Sequence, residues 1–210
     1  MNCPLCNDPQ TSKWSEDKIR PYIKCGHCSL VFVPQDFLLS AEDERKRYDT
    51  HENHEQDLRY REYLTKIASG ITPFISKGQK GLDFGCGAST LMAKIMEESG
   101  FEMDSYDLYY HPSTPIWSQK YDFIILSEVI EHLSSLRETM IKLAALLSTD
   151  GQFFIKTKFL PQSREQFDSW YYKKDPTHIC FFNPQSMGEL ARVLGMNGPD
   201  TSQDLSRLWY

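Results

Sequence analysis

From residue 79 onward the chain alternates between two hydrophobic periods. Residues 81–84, 101–106, 121–126 and 152–158 read as strands. Between them, Leu91, Met92, Ile95 and Met96 mark the apolar face of one helix. Residues 137–147 mark a second helix, with Thr149-Asp150-Gly151 as the turn into the strand that follows. The run Tyr121-Asp122-Phe123-Ile124-Ile125-Leu126 is almost continuously apolar, which suits a strand buried on both faces. Residues 184–194 read as a last helix, with Asn183 as N-cap and Pro184 in the first turn. Strands alternating with helices in this way predict an open, doubly wound, mostly parallel α/β sheet.

The flanks are less regular. A helix over 54–69 is expected to turn Leu58, Leu64, Ile67 and Ala68 inward and to end at Gly70, and Pro73 and Gly78 mark the turn into the first strand of the sheet. The charge run 42–47 reads as a solvated face. Trp14, Tyr22-Ile23 and Leu30-Val31-Phe32-Val33 supply only short strands. The expected division is a small module at 1–34, a linker with helices at 35–78 and the main domain at 79–210. Two places fall short of a full pattern. The segment after Asp107 is too brief for another complete strand–helix unit, and 197–210 offers one weak strand, 205–209. That leaves the far edge of the sheet frayed or open to a partner chain.

Composition narrows the class. The 210 residues are 40% hydrophobic, 13% aromatic and 25% charged, enough for a packed core and unlike a disordered chain. A net charge of −6 and a pI near 5.5 argue against a broad nucleic-acid footprint. No apolar run approaches a membrane span, and Met1-Asn2-Cys3-Pro4 lacks a signal-peptide core. The expected setting is cytoplasmic, where the six cysteines serve as thiols or metal ligands.

The first strand runs into Gly85-Cys86-Gly87 and then a helix, an arrangement that brings backbone N–H groups close to a ligand. Asp107, twenty residues after Gly87, closes the next strand where an acid can accept hydrogen bonds from ribose hydroxyls. Asp83, two residues before Gly85, would repel a pyrophosphate. It suits a nucleoside with a cationic end, and S-adenosylmethionine has a sulfonium, an ammonium and no phosphate. Leu82-Asp83-Phe84-Gly85-Cys86-Gly87 resembles motif I of the class I S-adenosylmethionine-dependent methyltransferases, and Asp107 resembles their ribose-binding acid. The chain departs from that pattern at Ser89, where many members carry a third glycine, and it shows no clear counterpart of the family's adenine-binding acid.

The resemblance implies a Rossmann-like fold and a cofactor site made of Asp83, Gly85, Cys86, Gly87, Asp107, Leu108, Ser127 and Glu128. Ser127-Glu128-Val129-Ile130-Glu131-His132 is similar to the family's segment after the fourth strand; helix capping by Glu131 and His132 is an equal alternative to a chemical role. Asp175-Pro176-Thr177-His178 resembles an Asp-x-Thr-His segment of bacterial small-molecule methyltransferases. It lies in a loop whose Trp170, Tyr171 and Tyr172 could wall a substrate pocket. His178 is the first candidate for a general base and His132 the second. The competing view makes Asp175 a cap and gives His178 a backbone bond. A Tyr…His…Asn stretch before the domain, here Tyr48, His51 and Asn53, reads as a capped loop; the same resemblance implies the alternative that it lies across the cofactor.

Cys3-x-x-Cys6 and Cys25-x-x-Cys28, eighteen residues apart, have the spacing of a zinc ribbon. Four thiolates saturate the ion, so the expected zinc is structural. Residues 1–34 hold four Lys/Arg against three Asp/Glu, too little positive charge for phosphate contacts. The expected activity is methyl transfer to a small-molecule acceptor. Other readings stay open: an RNA methyltransferase that contacts substrate through the zinc module, a non-catalytic cofactor-binding scaffold, and a nicotinamide oxidoreductase, which Asp83 and Thr90 count against.

Overall fold

The computed structural model describes residues 1–50, 56–112 and 114–210. In chain order the elements are β1 (Thr11–Glu16), β2 (Pro21–Cys25), β3 (Val31–Phe32), α1 (Ala41–Tyr48), α2 (Leu58–Ile71), β4 (Lys80–Phe84), α3 (Leu91–Glu98), β5 (Glu102–Tyr106), β6 (Tyr121–Ser127), α4 (Leu136–Ala144), β7 (Leu147–Lys156), α5 (Arg164–Ser169), β8 (Cys180–Phe181), α6 (Pro184–Leu194), β9 (Asn197–Ser202) and β10 (Leu205–Trp209).

The main sheet has the order β5-β4-β6-β7-β10-β9. Its first four strands are parallel, and β10 and β9 close it antiparallel. Leu82 sits opposite Ile124 on one side and Asp104 on the other, so the C-terminal ends of β4, β5 and β6 come out on one edge. Phe123, Ile124, Ile125 and Leu126 are fully buried, as expected for a strand covered on both faces. The two faces carry separate clusters. One gathers Leu64, Ile67, Met92, Met96, Phe123 and Phe154; the other gathers Leu82, Ile124, Phe153, Leu190 and Leu208.

Several sequence expectations need correction. The C-terminal residues form two strands, not one: β9 pairs with β10, and β10 with β7 through Leu208 opposite Phe153. The Asn197-Gly198-Pro199 stretch lacks apolar alternation because β9 is an exposed edge strand whose register comes from β10, so the sheet is completed within the chain. Leu58, expected inside, is 80% exposed at the first turn of α2, while Leu64, Ile67 and Ala68 are buried. The turn expected at 149–151 lies inside β7, where Tyr121 faces Leu147 but Phe123 faces Gln152. Gly70 does not end α2, which continues to Ile71.

The N-terminal residues build a second sheet of order β1-β2-β3-β8. Its fourth strand, Cys180–Phe181, belongs to the loop after β7, and Phe181 pairs with Val31. Tyr22, Phe167 and Phe181 pack edge to face at 5.0–5.8 Å, joining this sheet to the larger body.

Candidate functional site

The C-terminal ends of β4, β5 and β6 open into a cavity of about 1180 Å³, lined by the β4–α3 turn, α1, α2 and the loop after β7. The turn needs glycine. Gly85 has φ +79°, and a Cβ there would lie 2.6 Å from Val129 Cγ2; Gly87 has φ +67° with open space before it. The N–H groups of Gly85 and Cys86 donate to Tyr106 O at 2.7 and 3.0 Å, pinning the turn to the end of β5.

Asp107 is oriented by backbone donors. Its Oδ2 accepts from Gly87 N at 3.0 Å, and its Oδ1 accepts from Tyr109 N at 2.9 Å and Tyr110 N at 3.1 Å. Asp83 is 3% exposed, and its Oδ2 is buried with no hydrogen-bond partner among the described residues. Burial first, and the charge of Asp107 second, push its carboxyl up to about 7. An acid in that state favours a cation beside it. Cys86, half-buried in the turn, has its thiol pushed up by burial and does not present a thiolate. Leu108 is 64% exposed at the rim. Ser127 ends β6 at the cavity wall, and Glu128 follows it there with φ +54°.

His132 and His178 come together although 45 residues separate them in the chain. Their rings lie 4.7 Å apart at 63°. His132 Nδ1 is 3.0 Å from Thr177 O, and His178 Nδ1 is 2.7 Å from Tyr172 O. A carbonyl only accepts, so both rings carry their proton on Nδ1 and their lone pair on Nε2. Burial lowers the His178 pKa and keeps the ring neutral. Glu131, fully buried with a donor atom within 4.8 Å of one on each ring, is pushed up to about 8 by burial and then by the charge of Glu128. The Tyr172 hydroxyl contacts Glu131 Oε1 and lies 2.8 Å from Glu128 Oε2. The backbone bond weighed for His178 is present, and Asp175 bonds within its own turn. Asp175 accepts from Thr177 N and pairs with Arg47 at 2.7 Å, while His178 makes its backbone bond and still faces the cavity.

Some cavity residues were not legible in the sequence. The 42–47 charge run is only partly a solvated face: Glu44 accepts from the Tyr109 hydroxyl, and Arg47 reaches Asp175. Tyr60 and Tyr63 of α2 also line the cavity, and Tyr63 donates to Glu128 at 2.9 Å. An acidic helix N-terminus and a basic end are ordinary helix chemistry, so nothing in the run itself marked it out. Tyr48 sits edge-on to His132 at 5.5 Å, whereas His51 and Asn53 lie outside the described residues.

Outside the cavity lining, Cys3, Cys6, Cys25 and Cys28 converge with all Sγ atoms within 4.8 Å of one another. Three of the pairs stand at 3.6–3.7 Å. A tetrahedral ion about 2.3 Å from each sulfur requires S···S separations of about 3.8 Å, so the donor set fits zinc. The connection between β1 and β2 carries Arg20, only 5% exposed, whose guanidinium donates to Pro176 O, Lys173 O and Asp175 O at 2.7–2.9 Å. The cysteine module therefore braces the loop that holds His178.

A family model described as a methyltransferase domain matches residues 53–198. The fold is similar to 1,6-didemethyltoxoflavin-N1-methyltransferase from Burkholderia thailandensis, solved with 1,6-didemethyltoxoflavin and S-adenosylhomocysteine, at TM-score 0.58 and 16% identity, covering 86% of this chain and 95% of that one. It is also similar to a SAM-dependent methyltransferase from Archaeoglobus fulgidus, at TM-score 0.53 and 20% identity, over 65% of this chain and 69% of that one. A mitomycin 7-O-methyltransferase superposes at TM-score 0.52 and 10% identity, over 73% of this chain and 57% of that one. No curated protein sequence matches the chain.

Proposed function

The chain belongs to the methyltransferase-domain family, and from that premise we propose that it moves the methyl group of S-adenosylmethionine to a small-molecule acceptor. The observation that carries the donor is the orphaned Oδ2 of buried Asp83, beside the open Gly87 turn and the backbone-held Asp107. The donor's cationic end meets Asp83, and its ribose hydroxyls meet Asp107. The backbone of Gly85, Cys86 and Gly87 lies against it, with Leu108, Ser127 and Glu128 completing the contacts.

The acceptor sits between the donor and the 170–178 loop. Tyr171, Tyr172, His132 and His178 face that space. Sulfonium is already a good leaving group, so the protein's main contribution is alignment of the acceptor with the methyl carbon. Where the acceptor carries a proton, Nε2 of His178, and after it His132, receives it, a role supported by the Nδ1 bonds that leave the lone pair on Nε2. A small molecule is supported by the acidic net charge and by the toxoflavin precursor in the similar Burkholderia enzyme. Zinc on Cys3, Cys6, Cys25 and Cys28 would hold the small sheet and, through Arg20, the loop that carries His178.

Calorimetry against S-adenosylmethionine, S-adenosylhomocysteine and NAD tests this reading, with Asp107→Ala as control. The first two are expected to bind, and the variant to weaken them by about 1–3 kcal/mol. Binding of NAD alone would overturn it.

A further inference from the structure

We propose that Glu131, His132 and His178 form a binding site for a divalent metal cation at the acceptor side of the cavity, a second metal site distinct from the four cysteines. The inference rests on the methyl-transfer reading for its role, but not for its existence.

Three observations converge. One donor atom from each residue lies within 4.8 Å of the other two. Glu131, at 0% exposure, has its Oε2 buried with no hydrogen-bond partner among the described residues. A buried carboxyl oxygen left without a partner costs free energy that a bound cation would recover. Finally, both imidazoles are set up as metal ligands usually are. Each Nδ1–H is held by a backbone carbonyl, Thr177 O for His132 and Tyr172 O for His178, which fixes the tautomer with the lone pair on Nε2. Two ring nitrogens and one carboxylate make a donor set suited to first-row divalent ions, with coordination positions left toward the cavity.

Ligand distances of about 2.1 Å need donors about 3–3.5 Å apart, so binding draws the three side chains inward by a small rotation. Tyr172 holds the outer side of the site, its hydroxyl touching Glu131 Oε1 and Glu128 Oε2. The main chain fixes the rest: Ile179 N donates to Glu131 O at 2.9 Å.

The site predicts an oxygen acceptor. A cation there coordinates a hydroxyl and lowers its pKa, and the proton passes to water. The oxygen then forms its bond to the methyl carbon while the carbon–sulfur bond breaks. The bonding pair goes to sulfur, giving the neutral thioether. In this case the imidazole lone pairs bind the cation and do not receive the proton.

The test titrates zinc-loaded protein with Mn2+, following loss of the free-ion electron paramagnetic resonance signal. Mn2+ is a hard ion and does not compete for a tetrathiolate site. One further cation per chain is expected, with affinity falling about tenfold or more in His178→Asn, His132→Asn and Glu131→Gln. Retained zinc reports folding in each variant; if buried Glu131→Gln loses its zinc, the two histidine variants decide. No uptake by the wild type, or uptake unchanged in the histidine variants, overturns the proposal. Binding of S-adenosylmethionine measured in the same samples without Mn2+ separates the two readings. Its absence would sink the donor assignment while leaving the cation result to stand or fall by itself.

Discussion

Asp83 makes the most discriminating prediction, because the same buried charge should act oppositely on stability and on binding. Its carboxyl is raised from 3.8 to about 7, by burial and by Asp107. In the unfolded chain it ionises near its ordinary value, so between those two pH values the folded state binds the extra proton. Stability is therefore fullest below 3.8 and falls as pH rises through about 7. Three pH units at 1.36 kcal/mol each put the cost of the ionised group at about 4 kcal/mol. Asp83→Asn keeps the size and drops the charge, and should raise the melting temperature at pH 8. A cationic donor needs the ionised form, so wild-type affinity for S-adenosylmethionine should weaken about tenfold for each pH unit below about 7 and level off above it. The variant should bind weakly with no such slope. Calorimetry at a series of pH values, paired with thermal melts, measures both. A wild-type affinity flat from pH 5.5 to 8, or a variant that binds as tightly as the wild type, would refute the role given to the orphaned oxygen.

Other consequences follow from the same contacts. Arg20→Met removes donors from three loop carbonyls, so it should lower kcat while leaving the donor Kd unchanged, and destabilise the fold by about 2 kcal/mol; an equal loss of donor affinity would show that it acts elsewhere. Gly85→Ala places a Cβ 2.6 Å from Val129 Cγ2 at φ +79°, and should cost about 1–3 kcal/mol in denaturant melts and weaken donor binding as well. Stripping the cysteine site with a thiol-reactive mercurial and a chelator should expose β1–β3 to proteolysis and abolish methyl transfer, because Phe181 and Arg20 couple that sheet to the His178 loop. Retained activity in the zinc-free protein would refute that coupling.

The alternation of periods determined the parallel half of the sheet, since Ile124 and Ile125 can be buried on both faces only there. The glycine turn, Asp83, Asp107 and the paired cysteine knuckles were legible because each is local: a few adjacent residues whose backbone needs or ligand chemistry are fixed by spacing. The tertiary structure decided what depends on residues distant in the chain. It formed β9 from the polar stretch 197–202 because an edge strand takes its hydrogen bonds and register from β10, not from its own side chains. It carried Phe181 into the N-terminal sheet, and it turned Glu44 and Arg47 of an ordinary charged helix toward Tyr109 and Asp175. It set His132 and His178 ring to ring with their tautomers fixed by two carbonyls, near a Glu131 oxygen with no hydrogen-bond partner among the described residues. No spacing rule encodes such a meeting. It arises where the end of β6 and the loop after β7 pack against each other, and only their three-dimensional placement brings the nitrogen and oxygen lone pairs within reach of one another.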